Sequence, residues 1–208
     1  MCGFLIAKDN PKHNVMHIMD KMSYRGLKDY KGFQQYKKYN LVHIALPMVD
    51  PDPEVAIQPI RFGKEPPSMF VGEIFNYKDF GDYETDAIMI HKTYRENMSH
   101  DFFHSFDGFW SYITFFNDEP IIYTDFLGIK PVYYRKDVDA AASEIDILKE
   151  FGPVTHNNLF HSNVMKWGYD PTGNTPWNEI EQLKPCLLYT SDAADEGLGV
   201  DLGGRRII

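Results

Sequence analysis

A chain of 208 residues, 43% hydrophobic and 25% charged, has the length and composition of one sizeable globular domain. Its formal net charge of −9 gives it no basic footprint for nucleic acid or an anionic membrane surface. No apolar run approaches the roughly 18–20 residues that cross a bilayer, and no basic-then-apolar signal segment opens the chain. The two cysteines, Cys2 and Cys186, lie too far apart in sequence to suggest a disulfide framework, so the chain reads as cytoplasmic.

Residues 2–7 read as a short buried strand. Val15, Ile18, Met19 and Met22 follow at helical spacing, with Lys12, Asp20 and Lys21 on the other face. Ser23-Tyr24-Arg25-Gly26 closes that helix with a glycine suited to a left-handed cap. Residues 41–46 form a strand, ended by a loop carrying Pro47, Pro51 and Pro53. Residues 68–71 form another, running into Gly72-Glu73. A second helix spans about residues 85–96, with Ile88, Met89 and Tyr94 inward and Thr85 or Asp86 as its N-cap. Residues 109–116 and 120–124 make a hairpin turned at Asn117-Asp118, and residues 132–135 and 140–143 make another turned at Asp137. Residues 144–151 are a short helix, and the chain is loop-rich from Gly152 onward. Runs of strands with separate helices predict an α+β fold rather than a regular βαβ alternation. The sequence has no P-loop, dinucleotide-binding glycine motif or zinc-ligand spacing. Its eight histidines are scattered and read as satisfied surface or core residues.

Cys2 is the residue with the most chemistry in prospect. Removal of Met1 leaves a thiol and a free α-amino group on one residue. Their reference pKa values, about 8.5 and about 7.7–8.0, let the amine take the thiol's proton near neutral pH. A nucleophile served by its own amine is a convergent variant of the catalytic triad. By position alone Cys2 equally fits the start of a buried strand, because free cysteine packs as a small hydrophobe.

Seven short words occur in order: Met1-Cys2-Gly3, Tyr24-Arg25-Gly26, Gly72-Glu73-Ile74-Phe75-Asn76, Thr85-Asp86, Phe106-Asp107-Gly108-Phe109, Asp125-Phe126-Leu127-Gly128-Ile129-Lys130-Pro131-Val132-Tyr133-Tyr134 and Ala142-Ser143-Glu144-Ile145. Over residues 2–185 this series resembles the class II (N-terminal nucleophile) glutamine amidotransferase domain of the asparagine synthetase B family. The resemblance implies a four-layer αββα sandwich of two antiparallel sheets, with Cys2 at the end of a central strand. It implies that Cys2 attacks the side-chain amide of L-glutamine, releases ammonia and forms a γ-glutamyl thioester that water cleaves. It makes the Gly72 backbone N–H an oxyanion donor, Glu73 a substrate contact and Asp86 the holder of the substrate ammonium. Lys130 and Tyr133 fall in a family word read as structural, lining the sheet edge. No cofactor is expected in this domain. ATP and Mg²⁺ are expected only for a synthetase domain or partner that uses the ammonia and is absent from this sequence.

Two positions depart from the family pattern. The arginine that pairs with the glutamine carboxylate aligns with Ala45, and the asparagine that supplies a side-chain oxyanion donor aligns with Val71. Losing one oxyanion donor costs a comparable hydrolase about 10²–10³ in turnover. Losing a charge-assisted carboxylate contact costs about 1.5–3 kcal/mol. Arg25 and Arg61 are the cations considered as replacements. Three readings follow: an active glutaminase half, a degenerate module that keeps the fold, and an N-terminal-nucleophile hydrolase of a different small amide.

Residues 186–196 resemble the in-frame translation of a transposase-type sequencing adapter, and residues 200–208 resemble its second constant segment. That resemblance makes residues 186–208 a non-native tail and leaves 2–185 as the domain, with natural sequence expected to continue past Pro185.

Overall fold

The computed structural model describes residues 2–27, 29–46, 57–97, 100–185, 187–190 and 200–201. The expected proline loop at 47–53 lies outside the described residues. The strand β1 (Gly3–Lys8) is buried along all but its last residue. It pairs antiparallel with β3 (Tyr39–Ile44) on one side and β8 (Ala140–Ala142) on the other. Addition of β2 (Lys31–Tyr36), β7 (Tyr133–Arg135) and β9 (Glu181–Gln182) gives a six-stranded sheet in the order β2-β3-β1-β8-β7-β9. A second antiparallel sheet is built on β4 (Met69–Ile74), β5 (Gly108–Phe116) and β6 (Glu119–Thr124). There β4 lies at one edge, and β10 (Leu187–Thr190) and β11 (Val200–Asp201) lie beyond β6.

The period-2 alternation of strand side chains sorts the apolar residues into three cores. Leu5 and Ala7 point to one face of the first sheet and pack with Val15, Ile18 and Met19 of α1 (Val15–Lys21) and Ile147 and Leu148 of α3 (Ile145–Lys149). Phe4 and Ile6 point to the other face and meet Met69, Val71, Ile113 and Phe115 of the second sheet. Phe70, Ile74, Trp110 and Tyr112 face outward from that sheet, under Ala87, Met89, Ile90 and Tyr94 of α2 (Asp86–Asn97). Three cores separated by two sheets make the expected four-layer αββα sandwich. Each fully buried aliphatic or phenyl side chain contributes about 1.5–3 kcal/mol, so every layer is held by several such groups. No helix among the described residues is long and apolar enough to cross a membrane.

Both expected hairpins form. Asn117 (φ 50°) and Asp118 (φ 68°) take the left-handed turn that a tight two-residue connection needs, and Asp139 (φ 51°) takes the same conformation after a single 3-10 turn in the second hairpin. Elsewhere the structure corrects the sequence reading. β2 had no strand signal, because this edge strand fully buries only Gly32. A helix, α4 (Asn158–Trp167), stands where loop was expected. Asn157 caps it by accepting from Leu159 and Phe160 N–H, and Gly168 (φ 81°) ends it, but none of its residues is fully buried, so no apolar stripe marks it. Ile88 is only partly buried and Ile90 takes the inner position. Gly26 is extended (φ −170°) rather than left-handed. Glycine is required there by close approach, since a Cβ would lie 2.2 Å from the Ala45 carbonyl oxygen.

Candidate active site

Cys2 enters β1 at the open end of the inter-sheet layer. Gly3 pairs with Ile44, so the next rung of the ladder sets Cys2 opposite Ala45. Strand alternation turns the Cys2 side chain to the same face as Phe4, and it packs at the margin of the inter-sheet core. Its Sγ accepts a hydrogen bond from Leu46 N–H at 3.4 Å. The Ala45 backbone is fixed from behind: its N–H donates to Tyr30 O (2.9 Å) and its carbonyl accepts from Leu27 N–H (3.1 Å). The Ala45 methyl is buried, and it brings no polar group to the rung that faces the thiol.

His43 lies on the same face of β3, diagonal to Cys2 across the ladder. It is fully buried, and its ring faces the Phe70 carbonyl, the one polar group among the described residues that acts on it. Burial pushes its pKa down to about 4, so the imidazole is neutral at neutral pH. His43 is thus one of the core histidines that the sequence reading allowed for.

The facing wall is β4, which contacts β1 across the layer. Val71 and Glu73 share the inward parity, and Val71 is buried in the inter-sheet core. Phe70 exchanges two hydrogen bonds with the Gln58 side chain, from Phe70 N–H to Oε1 (2.6 Å) and from Nε2 to Phe70 O (3.1 Å). Ile74 N–H donates to Asp86 Oδ2 at 3.0 Å. Residues 70, 72 and 74 of an edge strand direct their N–H groups to the same side, so the Gly72 N–H faces the free edge between those two anchors. No side chain among the described residues accepts from it. Gly72 has φ 140°, and a Cβ there would lie 2.1 Å from Phe109 O and 2.5 Å from Trp110 Cα, so packing against β5 alone demands glycine.

Asp86 is the first residue of α2. Thr85 provides the cap, its Oγ1 accepting from Ile88 N–H at 3.2 Å. Asp86 accepts from Ala87 N–H at 2.8 Å with its other oxygen and so ties the helix start to the edge of β4. Burial pushes its carboxyl up to about 6. Its backbone hydrogen bonds oppose that rise, and the neighbouring Glu73 charge adds to it. Glu73, Gly72 and Asp86 therefore cluster on one edge of the second sheet, and Cys2 ends the central strand of the first.

Residues 1–198 match the family described as glutamine amidotransferase domain. The chain belongs to that family. The amidotransferase domain also resembles glutamine phosphoribosylpyrophosphate (PRPP) amidotransferase from B. subtilis complexed with ADP and GMP, with a TM-score of 0.62 and 12% identity over 99% of this chain and 50% of that one. The allosteric regulatory enzyme of purine biosynthesis gives a TM-score of 0.53 and 11% identity, over 91% of this chain and 40% of that one. At such identities the likeness is one of fold alone, and the domain spans half or less of each chain's length. No curated protein matches.

Three cations can now be placed in the amidotransferase domain. Arg61 is remote from Cys2: its Nε donates to Glu65 O (2.9 Å) and its guanidinium lies 5.6 Å over Tyr36. Arg25 is close, its Cβ and Cγ 3.1 Å from where a Gly3 Cβ would stand, but its guanidinium is ion-paired with Glu144. Lys130, read from sequence as a structural residue at the sheet edge, lies within the electrostatic reach of Cys2, Glu73, Arg25 and Asp125. Tyr133 does not line the sheet edge as expected: it lies in β7, paired with Ala142 of β8 on one side and Gln182 of β9 on the other.

Proposed function

We propose that this amidotransferase domain hydrolyses L-glutamine through Cys2 and supplies the ammonia to an asparagine-synthetase-like ligase. The observation that carries the reading is the Cys2 thiol at the mouth of the inter-sheet layer, held by Leu46 N–H, across from a strand edge that offers one backbone N–H flanked by two carboxylates. With Met1 removed, the α-amine takes the thiol proton and the thiolate adds to the amide carbon. The oxyanion is received by the Gly72 N–H. The C–N bond breaks, and the amide nitrogen takes the amine's proton and leaves as ammonia. Water then adds to the γ-glutamyl thioester, the C–S bond breaks, and glutamate departs with the thiol restored. Glu73 and Asp86 hold the substrate ammonium, and Asp86 does so in its ionised form, above about pH 6.

A second reading, cleavage of a different small amide by the same thiol, is favoured by one observation: the rung opposite Cys2 carries the Ala45 methyl rather than a cation. The two are separated by a glutamine-shaped diazoketone, a γ-directed electrophile bearing the α-amino acid end. The glutaminase reading expects a mass increase on the Cys2 peptide, with protection by glutamine. Labelling without protection favours the second reading. Asparagine formation from aspartate, ATP and Mg²⁺ by this domain together with a synthetase domain or partner tests the acceptor.

A further inference from the structure

Glutamine is a zwitterion at its α-carbon, and the site has a negative pole in Glu73 and Asp86 without a matching cation at position 45. Of the cations near β1–β3, Lys31 pairs with Asp20 (3.2 Å), Arg25 pairs with Glu144 and Arg61 lies on the outer surface over Tyr36. Lys130 is different. It forms no ion pair among the described residues, and it is partly buried.

Its position follows from the loop after β6. Asp125 gathers four backbone N–H groups, from Trp110 (3.2 Å), Leu127 (2.9 Å), Ile129 (3.1 Å) and Lys130 (3.2 Å), so its carboxylate is already engaged. The Lys130 carbonyl accepts from Ser111 Oγ at 2.7 Å. With both backbone groups pinned, the side chain runs over β5 and sets its ammonium 4.9 Å from the Phe109 ring centroid. Phe109 is the ladder partner of Glu73 and faces the inter-sheet layer with it. The ammonium is thus held beside the candidate site by an aromatic face, which attracts it without neutralising it. Burial pulls its pKa down, as does the nearby Arg25 charge, while Cys2, Asp125 and Glu73 oppose the fall.

We infer that Lys130 binds the α-carboxylate of the substrate, in place of the arginine that Ala45 has displaced; this rests on the glutaminase reading. Ammonium and carboxylate are then gripped from separate elements, the first from β4 and α2 and the second from the β6–β7 loop.

The test uses the full chain with two substrates, L-glutamine and 4-aminobutanamide, which is glutamine without its α-carboxylate. The wild type is expected to favour glutamine in kcat/KM by about 10- to 100-fold, the range of a charge-assisted contact. Lys130→Met is expected to lower kcat/KM for glutamine by that factor, mainly through KM, and to leave 4-aminobutanamide unchanged, with Lys130→Arg restoring most of the preference. A Lys130→Met protein that keeps the preference, or that slows both substrates equally, overturns the inference and leaves the glutaminase reading standing. If the wild type cleaves neither substrate, the glutaminase reading fails, and calorimetry of glutamine on Cys2→Ala decides the rest. Binding that is lost on adding Lys130→Met supports the carboxylate contact, whereas equal or absent binding overturns it.

Discussion

The β4 and α2 side of the candidate site presents a backbone donor and two carboxylates, whereas the β3 side meets Cys2 with a methyl. On the first, Gly72 turns an N–H to the strand edge, Ile74 N–H anchors Asp86, and Glu73 stands beside them. On the second, Ala45 faces Cys2 with a methyl, and the only polar contact to the thiol comes from Leu46 N–H. The difference separates two kinds of chemistry. Backbone donors follow from strand geometry and survive side-chain exchange, while side-chain donors at positions 45 and 71 can be exchanged one at a time without disturbing the sheets that carry them. A nucleophile can therefore persist in a site whose substrate contacts have been redistributed.

The largest change is expected from adding a side-chain donor at Val71, which is buried and shares the inward face of β4 with Glu73. Val71→Asn adds a second oxyanion donor and should raise kcat for glutamine by about 10²-fold, at a stability loss of about 1–3 kcal/mol for a buried amide. An unchanged kcat in steady-state ammonia assays breaks the comparison. Next comes the intact wall: Asp86→Ala should raise KM for glutamine by about 10- to 100-fold with little change in kcat. A loss confined to kcat would remove Asp86 from ammonium binding. In the wild type, kcat/KM should fall as pH drops through about 6, where Asp86 protonates.

His43 sharpens the comparison through stability. Its pKa falls from 6.5 to about 4 on burial, so the unfolded chain binds a proton that the folded one does not between those values. The contribution is full above pH 6.5 and is lost as pH falls toward 4, on the order of 3 kcal/mol. Asp86 acts with the opposite sign, because its folded pKa of about 6 lies above the reference 3.8; its stabilisation is present below 3.8 and lost as pH rises through 6. Urea unfolding of His43→Leu should therefore show its stability relative to wild type rising between pH 7.5 and 4.5. Parallel profiles would contradict the burial of a neutral imidazole. The smallest effect is expected at the end of the chain: truncation after Pro185 removes β10 and β11 from the side of the second sheet opposite β4, and should leave glutamine hydrolysis within about twofold if residues 186–208 are a non-native tail. Loss of hydrolysis on truncation would return those residues to the domain.

Much of the architecture was legible because it is written in local patterns. The continuous apolar run of residues 2–7, the Asn117-Asp118 turn and the cap at Thr85 each fix an element by short-range physics. The same holds for Cys2, Gly72, Glu73 and Asp86, which sit in compact words whose backbone setting is local. The edge strand β2 and the exposed helix α4 bury too little to leave a periodic signature. Lys130 was read as structural because its position depends on Asp125, Ser111 and Phe109, contacts that only the folded sheets bring together. His43 was one histidine among eight, and its complete burial is a property of the packed layer alone.

The measurement that tests the account most directly is ammonia and glutamate release from L-glutamine by the full chain with Met1 removed, beside its Cys2→Ala variant. Equimolar ammonia and glutamate from the wild type, and none from Cys2→Ala, is the predicted result. Release that survives Cys2→Ala, or none from the wild type, would contradict it.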